Sequence, residues 1–158
     1  MEKKFRYIIL IVLVFLSIGK SFGEERKVVI DLKTGDIKKL KIYLLSGLSN
    51  MIEYYKNNLT DLKAVVVIHG DAYKFFIKDL KNSPYADDKV LKKEQKELYQ
   101  RLKTLHQIYG VRFEMCDIGR KARKIPKGSI YPFVHLEYSA GVSLINWQNK
   151  GYAYLPIH

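Results

Sequence analysis

The sequence holds a single cysteine, Cys116, in 158 residues, so no internal disulfide can staple the fold and no thiolate-rich zinc site can form. Its four histidines, His69, His106, His135 and His158, show no metal-ligand spacing, and neither a metal nor a cofactor is expected. Equally absent are G-x-S-x-G, a P-loop, C-x-x-C and G-x-G-x-x-G. That removes the common signatures of serine hydrolases, nucleotide hydrolases, dithiol redox proteins and dinucleotide enzymes. Acidic residues are scarce: 16 Asp and Glu stand against 28 Lys and Arg, for a net charge of +12. The bases are spread along the chain instead of forming a stripe with interleaved aromatics, so they read as a solvated surface, and nucleic acid is not an expected partner.

What is present suits one folded domain, with 47% hydrophobic and 28% charged residues. The N-terminus stands apart. A basic start at Glu2-Lys3-Lys4-Phe5-Arg6 precedes an apolar run from Tyr7 to Ile18, and Ser21-Phe22-Gly23 has small residues where a signal peptidase cuts. The run is about a dozen residues, short of the roughly 20 that cross a bilayer. Residues 1–23 therefore read as a signal peptide and 24–158 as the mature domain, periplasmic and without a stable membrane anchor after cleavage. Four basic residues and one acidic residue leave with the signal, so the charge falls from +12 to +9. Export also makes the lone thiol informative, since oxidising compartments pair cysteines.

Along the mature chain, strand and helix patterns alternate. Val28-Val29-Ile30 reads as a buried strand ended by the Thr34-Gly35-Asp36 turn. Leu40, Tyr43, Leu44, Leu48, Met51, Ile52 and Tyr55 then recur at helical spacing, with Asp36 as N-cap. Ala64 to Ile68 is apolar on both faces, which calls for a parallel strand covered on both sides. Ala72, Phe75, Phe76 and Leu80 suggest a short helix, and Leu91 to Ile108 a longer one ending at Gly110. A third strand over Val111 to Met115, a fourth over Phe133 to Tyr138, a helix capped by Ser139 and a last strand over Tyr152 to Leu155 complete the series. The expected fold is α/β, three-layer α/β/α, around a five-stranded, mainly parallel sheet.

In such sheets reactive and binding groups collect beyond the carboxyl ends of the strands. Two segments qualify: His69-Gly70-Asp71 after the second strand, and Cys116-Asp117-Ile118-Gly119 after the third. If these strands are neighbours, Cys116 and His69 share a pocket. A nearby helix start and the basic residues Arg120, Lys121, Arg123 and Lys124 would favour the thiolate, the form that attacks sulfane sulfur or a disulfide. Asp117 opposes them, and a cysteine at a strand end also serves as a small core residue. Cys116 is the candidate catalytic residue; His69, Gly70, Asp117 and Arg120 are candidate binding residues.

The order of Val65-Val66-Val67-Ile68-His69-Gly70, Gly110-Val111-Arg112-Phe113-Glu114-Met115-Cys116, Gly141-Val142 and Gln148-Asn149-Lys150-Gly151-Tyr152-Ala153-Tyr154 resembles the DsrE/DsrF-like superfamily, in its exported branch of small stand-alone proteins. The likeness spans residues 26–156. It implies a DsrE-like three-layer fold and a homo-oligomer. It also implies that Cys116 holds a persulfide as in sulfur-relay subunits, with His69 and Gly70 lining its pocket. The chain departs from those subunits in its apparent export and in the Asp-Ile-Gly-Arg that follows Cys116. Two functional expectations follow. One is a periplasmic sulfur carrier, sulfurtransferase-like, that exchanges sulfur with a donor or acceptor protein. The other is a non-catalytic small-ligand-binding or assembly module with a structural cysteine.

Overall fold

A computed structural model describes residues 25–158; the expected signal segment, 1–23, lies outside the described residues. Strands β1 (Glu25–Leu32), β2 (Asp61–Ile68), β3 (Arg112–Cys116), β4 (Val134–Glu137) and β5 (Ala153–Ile157) form one sheet in the order β4-β3-β2-β1-β5. Every pairing is parallel. The β-branched runs of β1 and β2 take the central positions, and Val29, Ile30, Val66 and Val67 are fully buried there. Pro156 lies in edge strand β5, where a missing N–H costs the ladder least. Cys116 is the last residue of β3, one position further into the sheet than the sequence pattern places it.

Helix α1 runs over 37–57. The Asp36 side chain caps it, accepting from the Lys38 N–H at 2.7 Å. Its middle, Leu40–Ser46, is π-helical. The widened turn gathers Leu40, Leu44, Leu45 and Leu48 on the buried side and leaves Tyr43 exposed. The 3.6-residue pattern had turned Tyr43 inward and passed over Leu45. Helix α2 (Lys89–Gln107) starts at Asp88, whose carboxylate accepts from the Leu91 N–H, so this aspartate is a cap and not a free loop charge. The expected helix after β2 is a 3-10 turn, Ala72–Phe76, ended where Ile77 bridges Ile130. Short α3 (Asp117–Ala122) follows β3 directly, and α4 (Ala140–Asn149) joins β4 to β5.

The register divides the sheet into two unlike faces. Ile30, Val66, Phe113 and Val134 lie in one row and Leu32, Ile68, Met115 and Leu136 in the next, all apolar. Here α1 covers the sheet, with Tyr43 and Met51 facing Leu155 and Ile157 across a cleft, and α2 docks on α1 through Lys41 to Glu94 and Arg101 to Ser46. On the reverse face, Asp31, Val67, Glu114 and His135 share a row. That side is covered by α4, which packs on β1, β2 and β3.

Candidate functional site

Cys116 ends β3 in extended conformation and caps α3. Its sulfur accepts the Gly119 N–H at 3.5 Å, and the start of α4 at Ala140 adds to its stabilisation, while the Ile118 N–H donates to the Tyr138 carbonyl oxygen at 3.4 Å. Ala140 opens α4, so the starts of two helices converge on one atom. Burial pushes the Cys116 thiol up, but these N–H groups and the Tyr73 hydroxyl outweigh it and hold the thiol below its usual value. The residue keeps 9% of its surface open.

Tyr73 is fully buried, and its hydroxyl donates to the Cys116 carbonyl oxygen at 2.8 Å. A phenol has one proton, so it can serve the sulfur only by leaving that carbonyl; the backbone N–H groups therefore carry the steady stabilisation. Burial also keeps the Tyr73 phenol protonated far above its ordinary range. Gly119 makes this packing possible. A Cβ there would lie 2.1 Å from the Tyr73 hydroxyl oxygen, so any side chain would displace one of them.

The position of α4 over the sulfur depends on Glu114, two residues before Cys116 on the same sheet face. Its buried carboxylate accepts from Ser143 and from Trp147 Nε1 at 2.9 Å, both on α4, and pairs with Arg112. Burial raises this carboxyl, yet Ser143, Arg112 and Trp147 together bring it below the ordinary value of 4.5. The carboxylate is thus an anchor that fixes the Ala140 N–H.

The other candidates divide. Asp117 is balanced by Lys121 at 2.8 Å and Arg120 at 2.6 Å, which hold its carboxyl down. Its negative charge is offset and does not oppose the thiolate as the sequence suggested. Arg120 also donates to the Ile125 carbonyl, so its guanidinium braces α3 and the following loop. Arg123 pairs with Asp71 and lies over the Tyr73 ring at 5.0 Å. Backbone N–H groups, more than the basic cluster, thus favour the anion. His69 follows β2 and bonds through Nε2 to Asp31 of β1. Gly70, at φ 61°, lets the chain press on Lys33, whose carbonyl oxygen would lie 2.9 Å from an added Cβ. The larger clefts, of about 500 and 520 Å³, are lined by other residues and not by Cys116.

Sequence reasoning missed Asp31, Glu114 and Tyr73, and the hydrogen bond that Tyr154 makes. Asp31 is buried and also accepts from the Tyr154 hydroxyl at 2.6 Å, with His158 Nε2 at 3.5 Å. Burial raises the Asp31 carboxyl, and these donors with His69 more than reverse it. A usable signal existed, for Asp31 and Glu114 are each an acid flanked by apolar residues in a parallel strand. Tyr73 gave none.

Comparison with known proteins places the fold and the family. A curated, uncharacterized protein of Aquifex aeolicus (strain VF5) is 30% identical over 154 residues, which cover 98% of this chain and 63% of the relative's length. The solved structure of MTH1491, a protein of unknown function from Methanobacterium thermoautotrophicum, superimposes with a TM-score of 0.63 at 17% identity, over 84% of this chain and 98% of that one. It shares the fold. The model of the DsrE/DsrF-like family matches residues 27–157, nearly the whole of the five-stranded α/β domain, and the chain belongs to that family.

Proposed function

We propose that the protein is an exported sulfur carrier in which Cys116 accepts sulfane sulfur as a persulfide and passes it on. The observation that carries this reading is the Gly119 N–H held on the Cys116 sulfur at the start of α3, with the start of α4 at Ala140 also lowering the thiol. Two kinds of negative sulfur gain from such an arrangement: the thiolate that attacks and the persulfide anion that results. In the reaction the thiolate forms a bond to the outer sulfur of R–S–SH, the bond between that sulfur and R–S breaks, and R–S⁻ leaves. No external oxidant is needed. The same side of the molecule exposes Ile118, Tyr138, Val142 and Ile145, an apolar surface suited to a homo-oligomer and to a donor or acceptor protein.

Intact-mass spectrometry of the mature protein after polysulfide treatment tests the reading. Added sulfur is expected on the unaltered protein and none on Cys116→Ser. Sulfur-free Cys116 after treatment would reject the proposal. The limited exposure of Cys116 favours the alternative, a binding or assembly module with a packed cysteine. In that case iodoacetamide labels the native protein far more slowly than the unfolded one.

A further inference from the structure

Asp31, His69 and Cys116 come from three neighbouring strands. Asp31 pairs with Val67, and Val67 pairs with Glu114. His69 and Cys116 each lie two residues further along, so both share the face of Asp31. Ile68 pairs with Met115, the residues just before His69 and Cys116, so the two follow adjacent strand positions at the sheet's carboxyl edge, with the His69 ring turned to Asp31.

The Asp31 carboxylate differs in use from Glu114. Glu114 bonds a helix to the sheet; Asp31 bonds side chains only, namely His69, Tyr154 and His158. Strand β5 is already held to β1 by its ladder, so the fold gains little from this second buried carboxylate. Its clearest effect is on an imidazole. A carboxylate has no proton to give, so His69 Nε2 carries the hydrogen and Nδ1 is left as the basic nitrogen. The His69 side chain is 24% exposed, within reach of a bound molecule. It makes no hydrogen bond to Cys116 itself, which leaves its free nitrogen for a third party.

We infer that His69 is the acid that protonates the departing sulfur when Cys116 takes up sulfane sulfur, and that Asp31 is the residue that positions it, an inference that rests on the function proposed above. The proton that Cys116 gives up reaches His69 through solvent. As the bond to R–S breaks, the imidazolium returns that proton to R–S⁻, and R–SH departs. Atoms and charge balance, and no electron donor is required.

The leaving group supplies the test. Glutathione persulfide releases a thiolate that needs a proton, whereas 5,5′-dithiobis(2-nitrobenzoate) releases an aryl thiolate that does not. In Asp31→Asn and His69→Gln, the ratio of the persulfide rate to the aryl-disulfide rate should fall about tenfold or more, the usual scale of a positioned general acid. Equal slowing of both reactions would assign a purely structural role and overturn the inference, as would an unchanged ratio. An unaltered protein that takes up no sulfur would overturn the proposed function, and this inference with it. If Asp31→Asn does not fold, His69→Gln decides alone, because its side chain is part-exposed.

Discussion

The two faces of the sheet obey different rules. Under α1 and α2 the facing rows are Ile30, Val66, Phe113 and Val134, then Leu32, Ile68, Met115 and Leu136, and stability there is a matter of apolar area. Under α4 the sheet presents Asp31, Glu114 and Cys116, each buried and each hydrogen-bonded. Among the described residues no buried side-chain nitrogen or oxygen lacks a partner. Polar groups are tolerated on this side because each finds donors: Ser143 and Trp147 of the covering helix for Glu114, His69, Tyr154 and His158 for Asp31, and the Gly119 N–H for Cys116. One face therefore rests on apolar area, and the other, at lower apolar gain, carries the buried polar groups of the candidate site.

The comparison breaks most sharply at Phe113. Truncation to Ala on the apolar side should cost about 3–5 kcal/mol in denaturant unfolding while the surviving folded fraction labels at Cys116 as before. Should labelling change with stability, the faces are not independent. A smaller effect is expected at Glu114. Glu114→Gln should cost about 1–3 kcal/mol, since Arg112 keeps only Glu137 as a charged partner and one donor to the carboxylate is displaced. The folded protein holds the Glu114 and Asp31 carboxyls below their ordinary values of 4.5 and 3.8. Their stabilisation is therefore complete above those values and disappears as pH falls through the lower folded-state values. Acid unfolding monitored by circular dichroism should thus be shallower in Glu114→Gln than in the unaltered protein. The smallest effect sharpens the contrast: Gly119→Ala should cost about 1–2 kcal/mol through overpacking against Tyr73. It should also slow iodoacetamide labelling at neutral pH by moving the Gly119 N–H off the sulfur; an unchanged rate would show that this N–H does not set the thiol.

Most of the fold was legible because the parallel strands announce themselves as continuous β-branched runs and the helices as amphipathic periods, two of them with Asp36 and Ser139 as caps. The π-helical turn was not, since widening by one residue leaves the composition unchanged while moving Tyr43 out and Leu45 in. Within the candidate site, Cys116 and His69 were legible from their places at strand ends. Tyr73 was hidden because its role depends on the fold bringing residue 73 to residue 116, and on Gly119 lacking a side chain at that spot. The acids in β1 and β3 were overlooked for a different reason: a buried strand that tolerates one carboxylate looks, residue by residue, like one that merely contains it.

Cys116 ends a strand and begins a helix with the same backbone unit. A sulfur mounted at such a junction has no tether to swing on. Under the function proposed above, the reach needed for exchange therefore belongs to the partner, which comes to the rim of the sheet because Cys116 is fixed there by strand and helix alike.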